Sequence, residues 1–133
     1  MTQCIVFAQD NGQVAVCIPT GELPIEAVQA KDTPKGSIIM NVGDLPRDND
    51  FFDAFELVDG KVEVSLAKAT EITKKRLRSE REPLLAAQDV AFQRALETGA
   101  DTTDIVAEKQ RLRDVTKLAD QAATLDELRN LKP

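Results

Sequence analysis

Short runs of alternating apolar and polar residues, separated by turn residues, occupy the first half of the chain. Gln3–Ala8 and residues 13–18 alternate on either side of Asn11 and Gly12. An Asn-Gly pair between alternating runs is typical of a tight turn that joins two antiparallel strands. The chain is therefore predicted to begin with a β-hairpin.

The register of this hairpin stays open between two alternatives. A two-residue loop places Cys4 opposite Pro19, whereas a four-residue loop places Cys4 opposite Cys17. Both registers predict one apolar face, which carries Ile5, Phe7, Val14, Val16 and Ile18. We interpret the two cysteines as unpaired thiols rather than a disulfide, because disulfides are rare in reducing compartments.

The rest of the first half is predicted to contain one short helix and further strands. Pro24 suits the first turn of a helix that ends at Lys31, and residues 37–42 read as a third strand. Asp59 and Gly60 predict a second hairpin. Between these elements lies a turn with most of the aromatic residues, which we expect in the core rather than on a docking patch: Phe51, Phe52 and Phe55.

From residue 66 onward the composition changes to strong helix formers. Apolar residues recur at helical spacing over Leu66–Thr98. Pro83 either bends this helix or begins a new helix at residues 83–97. Gly99 is well placed to end it in a left-handed conformation.

The end of the chain is predicted to return as shorter helices. A helix over residues 104–118 is followed by a linker at 119–123. Thr124 and Glu127 then match a capping box that begins a last short helix. The expected fold class is α+β: a small β-rich module with short helices at residues 1–65, followed by a long, hairpin-like helical region at residues 66–133 that serves for interaction.

Composition argues against catalysis. The chain of 133 residues has no histidine, tryptophan or tyrosine. Histidine is the commonest general base and the commonest metal ligand, so neither a catalytic triad nor an ordinary zinc site is expected. We predict a protein that is not an enzyme and has no cofactor or metal. The four aspartates at positions 44, 48, 50 and 53 are interpreted as turn and cap residues.

Charge and hydropathy indicate where the protein works. The net charge is -6, which argues against nucleic acid as a partner. No apolar run is long enough to cross a bilayer, and no signal peptide begins the chain, so we expect a cytoplasmic protein without a membrane partner. An alternative function remains for one basic stripe, which could bind nucleic-acid phosphates: Lys74, Lys75, Arg76, Arg78 and Arg81.

A helix of this length cannot bury its whole apolar stripe against so small a sheet. It is expected to pack on its own returning helix, on a second copy of the chain, or on a partner protein. Arg81 and Arg113 are expected to orient the contact. The apolar interface candidates beside them are Leu77, Leu84, Phe92, Leu96, Ile105 and Leu112.

Several short motifs, spread over nearly the whole chain, match those of a known family. In the first half these are residues 9–12 after a strand, 18–19, 25–26, 31–36, 44–46 and 52–55. In the second half they are residues 68–69, 76–78 with Arg81, 89–90 with Phe92, 94–96, 112–115 and 124–128. With these motifs the chain resembles a family of small tailed-bacteriophage proteins, described as tail-fibre or tail-fibre assembly proteins. Phe55 stands where that family often has tryptophan.

The resemblance implies a role without catalysis in building or completing a phage tail. Its expected partners are tail or tail-fibre proteins, with a homo-oligomer as a further alternative. One version of this role is a virion adaptor that remains in the tail. The other is an assembly chaperone that acts in the host cytoplasm, covers an apolar surface and then leaves.

Overall fold

The computed structural model describes residues 2–133 and has 55% helix and 17% strand. Small sheets occupy the first half and helices the second, so the predicted α+β fold class is confirmed. The chain divides into two compact units, Met1–Lys68 and Ala69–Pro133. We call them the N-terminal unit and the helical unit.

Three antiparallel strands form the first sheet of the N-terminal unit. They are β1 (Gln3–Ala8), β2 (Val14–Cys17) and β3 (Ile38–Asn41), and their order in the sheet is β2-β1-β3. Helix α1 (Ile25–Asp32) connects β2 to β3. Because β1 is central, β2 and β3 each have one edge to which no strand of residues 2–133 pairs.

The first hairpin differs from both predicted registers by one residue. Ile5 pairs with Cys17, and the Gln9 N–H donates to the Gln13 carbonyl at 2.7 Å. The loop thus has three residues, and Gly12 takes the left-handed conformation (φ 83°) that such loops require at their last position.

A one-residue shift moves side chains to the opposite face of a sheet. Ile5 and Phe7 therefore do not share a face with Val14, Val16 and Ile18, and that prediction was wrong. The same shift leaves Cys4 and Cys17 on opposite faces, and both thiols are free.

The second hairpin has the predicted turn. Strands β4 (Phe55–Val58) and β5 (Lys61–Val64) pair around a two-residue loop. Asp59 (φ 50°) and Gly60 (φ 78°) both have positive φ, as a type I′ turn requires. The core beneath the strands is formed by Cys4, Val6, Val14, Phe55 and Val62.

Two short 3-10 helices, Val42–Asp44 and Asn49–Ala54, precede the second hairpin. Phe51 and Phe55 are buried as expected, but Phe52 is 39% exposed. Its ring centroid lies 5.0 Å from that of Phe55. Placing all three rings in the core was therefore wrong for Phe52.

Helix α2 (Leu66–Thr98) runs without interruption for 33 residues. Pro83 lies inside it on an exposed face, so no new helix begins there. Because proline has no N–H, the Ser79 carbonyl loses its helical donor. Gly99 ends the helix at φ 70°, and the Ala100 N–H donates to the Ala95 carbonyl at 2.8 Å, which is the expected left-handed stop.

Three shorter helices follow: α3 (Thr103–Asp114), α4 (Lys117–Gln121) and α5 (Leu125–Asn130). The predicted helix over 104–118 therefore ends early, and the predicted linker at 119–123 is largely helical. Ala119 is buried, and it follows the buried Leu112 and Val115 at helical spacing.

The predicted capping box at α5 is present in a modified form. The Glu127 N–H donates to Thr124 Oγ1 at 3.2 Å. The Glu127 carboxylate accepts from the Ala123 N–H at 2.6 Å, one residue before the usual partner.

Candidate interaction surface of the helical unit

The six apolar interface candidates differ widely in exposure. Leu77 and Leu112 are buried, at 0% and 1% exposure. Phe92 and Ile105 are half-buried. Leu84 and Leu96 are 43% and 61% exposed. The helical unit therefore encloses part of this candidate set and leaves two of the six, Leu84 and Leu96, open to solvent.

Helical spacing explains which part stays open. Twelve residues separate Leu84 from Leu96, which places them about 120° apart around α2 at 100° per residue. The buried Ala95 and the half-buried Phe92 lie between these two directions. Leu84 and Leu96 thus lie at the two borders of the apolar face of α2 that contains Phe92 and Ala95. We call these two side chains the α2 rims.

Arg81 connects α2 to the end of α3. Its guanidinium donates to the carbonyl oxygens of Leu112 at 3.3 Å and Arg113 at 2.8 Å. These carbonyls belong to the last turn of α3, where a cation is favoured by the helix dipole. Arg81 therefore links α2 to α3 within the helical unit, and the role expected for it in orienting an interface stays a prediction. Arg113 contributes its carbonyl, and its side chain is exposed.

A second contact between α2 and α3 was not predicted from the sequence. Lys109 Nζ lies 2.7 Å from Asp89 Oδ1 and 5.1 Å from the centroid of the Phe92 ring. The cation thus meets a carboxylate and an aromatic face together. No spacing rule could reveal this contact, because its partners lie on different helices.

Three members of the basic stripe contact acceptors of the helical unit. Besides Arg81, Arg76 donates to the carbonyls of Leu128 at 3.1 Å and Leu131 at 2.9 Å. Lys74 Nζ lies 2.6 Å from Asp120 Oδ1, and this hydrogen bond raises the pKa of Lys74. Lys75 and Arg78 are exposed. The stripe therefore has less free charge than its sequence suggested.

Three carboxylates of the helical unit have a lowered pKa, and contacts with neighbouring surface side chains explain each shift. The Thr103 hydroxyl and amide lower the pKa of Asp101. Arg111 lowers the pKa of Glu108, and hydrogen bonds from Gln110 and Lys117 lower that of Asp114. Each carboxylate is thereby held in its charged form, which is the opposite of what a general acid needs.

The acidic, cysteine and buried polar side chains of residues 2–133 are the other groups that could take part in chemistry. No group of three or more acidic or cysteine side chains is placed to hold a metal ion there. In the same residues every buried side-chain nitrogen or oxygen has a hydrogen-bond partner. Burial raises the pKa of the Cys4 thiol, which disfavours the nucleophilic thiolate.

None of the helices formed by the described residues has both the length and the apolar content needed to cross a bilayer. Comparison with protein-family models, curated proteins and solved structures finds no match to this chain.

Proposed function

We propose that this chain is a protein of the phage tail-fibre or tail-fibre assembly type, which binds a tail or tail-fibre protein through its helical unit. It acts without catalysis, either as an adaptor in the virion or as a chaperone in the host cytoplasm. The class of protein rests on the sequence resemblance, and the observation that carries binding by the helical unit is the pair of exposed α2 rims, Leu84 and Leu96.

Two features support binding of a protein at these rims. Exposed large apolar side chains gain free energy when a partner covers them. The rims also lie on a helix anchored to its neighbours by Arg76, Arg81 and Lys109. A helix held in place loses little conformational freedom on binding, so more of the contact energy becomes affinity.

The alternative, a nucleic-acid-associated protein, has less support. Phosphate binding would have to draw Lys74, Arg76 and Arg81 away from the acceptors that they already contact. The two exposed members of the stripe, Lys75 and Arg78, lie on a protein of net charge -6. Such a surface would give only weak attraction for a polyanion.

The test is cross-linking during phage infection with a tagged chain, followed by mass spectrometry. The wild-type chain is expected to capture a tail or tail-fibre protein, and the double variant Leu84→Gln with Leu96→Gln is expected to lose it. Mass spectrometry of purified virions distinguishes the two versions, since only an adaptor remains in the particle.

Val90→Gln is the matched control, because Val90 is 50% exposed on the same helix. It lies about 120° from each rim, on the far face of α2. Equal loss with the control variant, or capture unaffected by the rim variant, would contradict the proposal. Light scattering of both variants tests whether the rims instead join two copies of the chain.

A further inference from the structure

A cavity of about 710 Å³ opens beside the end of β2 in the N-terminal unit. Its walls are mainly apolar. Ile18 and Phe52, which are 58% and 39% exposed, lie in it together. The other apolar walls include Val16, Leu45 and Pro46. We call this cavity the β2 groove.

The main chain of β2 is unpaired along the same edge. The Gln9 N–H bonds to the Gln13 carbonyl, so hydrogen-bonded pairs recur at every second residue along the hairpin. The residues of β2 that face β1 are therefore Ala15 and Cys17. The N–H and C=O groups of Val14 and Val16 point away from β1, where none of the strands in residues 2–133 pairs with them.

On the other side of β1, the backbone groups that pair with β3 belong to the alternate residues of β1. This pattern supports the assignment of Val14 and Val16 to the open edge. The Val42 N–H donates to the Thr2 carbonyl at 2.8 Å. Cys4 and Val6 therefore direct their backbone groups to β3, whereas Ile5 and Phe7 direct theirs to β2. Val16 thus presents its side chain to the β2 groove and its backbone groups to the open edge.

A positive charge stands at the same groove. Arg47 is exposed and lines the cavity with Asn49. Its guanidinium forms no ion pair within the described part of the chain. An unpaired guanidinium beside an apolar groove suits a ligand with a carboxylate.

We propose that the β2 groove binds an extended segment of a partner protein, which adds to the sheet as a strand beside β2. Backbone pairing with Val14 and Val16 provides affinity, and alternate apolar side chains of the segment enter the groove. A carboxylate of the segment meets Arg47. Addition of a strand to an open sheet edge is a recurring way to recognise peptides. This site lies in the N-terminal unit and is independent of the α2 rims.

The probe is an eight-residue synthetic peptide that alternates valine and threonine and ends in two aspartates. It is titrated into the full chain to about 1 mM, the range of weak peptide binding, while backbone amide NMR signals are followed. The expected changes centre on Val14, Val16 and Ile18. Signals that stay unchanged at these residues would overturn the proposal.

Two N-methylated versions of the peptide test backbone pairing. One carries methyl groups on the valine amides and the other on the threonine amides. Because alternate amides of a strand face opposite edges, only one version should lose binding, by tenfold or more. Loss with methylated valines indicates an antiparallel added strand, and loss with methylated threonines a parallel one. Equal loss in both versions, or in neither, would overturn strand addition.

Arg47→Gln tests the charge. It is expected to weaken the peptide ending in aspartates several-fold and to leave a peptide ending in asparagines unchanged. Arg78→Gln, which removes an exposed charge from the helical unit, is the matched control and should change neither affinity. Equal weakening of both peptides by Arg47→Gln would remove the carboxylate from the proposal. If the chain forms a dimer that protects the Val14 and Val16 amides, a second copy occupies the β2 edge. That result would overturn the proposal of a partner segment.

Discussion

The guanidinium of Arg76 donates a hydrogen bond of 3.1 Å to the carbonyl oxygen of Leu128, 52 residues further along the chain. A second bond of 2.9 Å reaches Leu131, so both acceptors lie at the end of α5. The Leu128 carbonyl also accepts from the Leu131 N–H at 3.2 Å, so Arg76 adds a charged donor to the capped end of this helix. One side chain of α2 therefore holds the last helix of the chain in place.

Replacing Arg76 with methionine is expected to lower the free energy of unfolding by about 1–2 kcal/mol, since the carbonyls of α5 lose a charged donor that is partly exposed. Urea denaturation followed by circular dichroism measures the change. Arg78→Met removes an exposed arginine from the same helix and should cost less than about 0.5 kcal/mol. Equal effects of the two substitutions would contradict the role of Arg76.

Truncating the buried and exposed leucines of the stripe should have different costs. Leu77→Ala and Leu112→Ala are each expected to lower the free energy of unfolding by about 2–5 kcal/mol, because each leaves a cavity. Leu84→Ala should cost less than about 1 kcal/mol, because Leu84 is already 43% exposed. Thermal and urea denaturation compare the three variants. A large loss with Leu84→Ala would mean that this rim supports the fold and is not free for a partner.

Gly99→Ala is expected to destabilise the helical unit by about 1–2 kcal/mol, because φ at this residue is 70° and a Cβ is strained there. Apart from Gly99 and its two chain neighbours, none of the described residues has a heavy atom within 4 Å of the position of a Cβ, so the cost comes from the backbone conformation. Gly99→Asn should recover part of the loss, because asparagine tolerates this conformation better. Denaturation of both variants checks the order, and equal losses would contradict it.

The pKa of Asp101 should lie below that of an ordinary aspartate, because the Thr103 hydroxyl donates to its carboxylate at 2.7 Å. A lowered pKa in the folded state means that this interaction stabilises the fold above the unfolded pKa. Its contribution is lost as the pH falls through the folded value. Carboxyl NMR titration measures the pKa, which should rise in Thr103→Ala. An unchanged pKa in that variant would exclude the hydroxyl as the main cause.

The sequence predicted most of the elements because their signals are local. Asp59 and Gly60 predicted a turn, and both residues have positive φ in the structure. Gly99 predicted the end of α2, and it also has positive φ. The register of the first hairpin was wrong, because Asn11 and Gly12 fit loops of several lengths and the apolar pattern tolerated two of them.

The candidate surface was predicted only in part. Helical periodicity placed Leu77, Leu84, Leu96 and Leu112 among the apolar candidates. It could not distinguish the buried Leu77 and Leu112 from the exposed Leu84 and Leu96, because exposure depends on where the neighbouring helices lie. The contacts of Arg76 and Lys109 join distant parts of the sequence, and local patterns carry no information about them.

The proline within α2 has a consequence for how the helix opens. Position 83 supplies no donor to the carbonyl at position 79, and the pyrrolidine ring crowds the turn before it. Transient breaks in the helix should therefore begin at this turn, and its backbone hydrogens should exchange with deuterium sooner than those near Leu77. Exchange rates along α2 would then divide one continuous helix into two protected stretches that meet at Pro83.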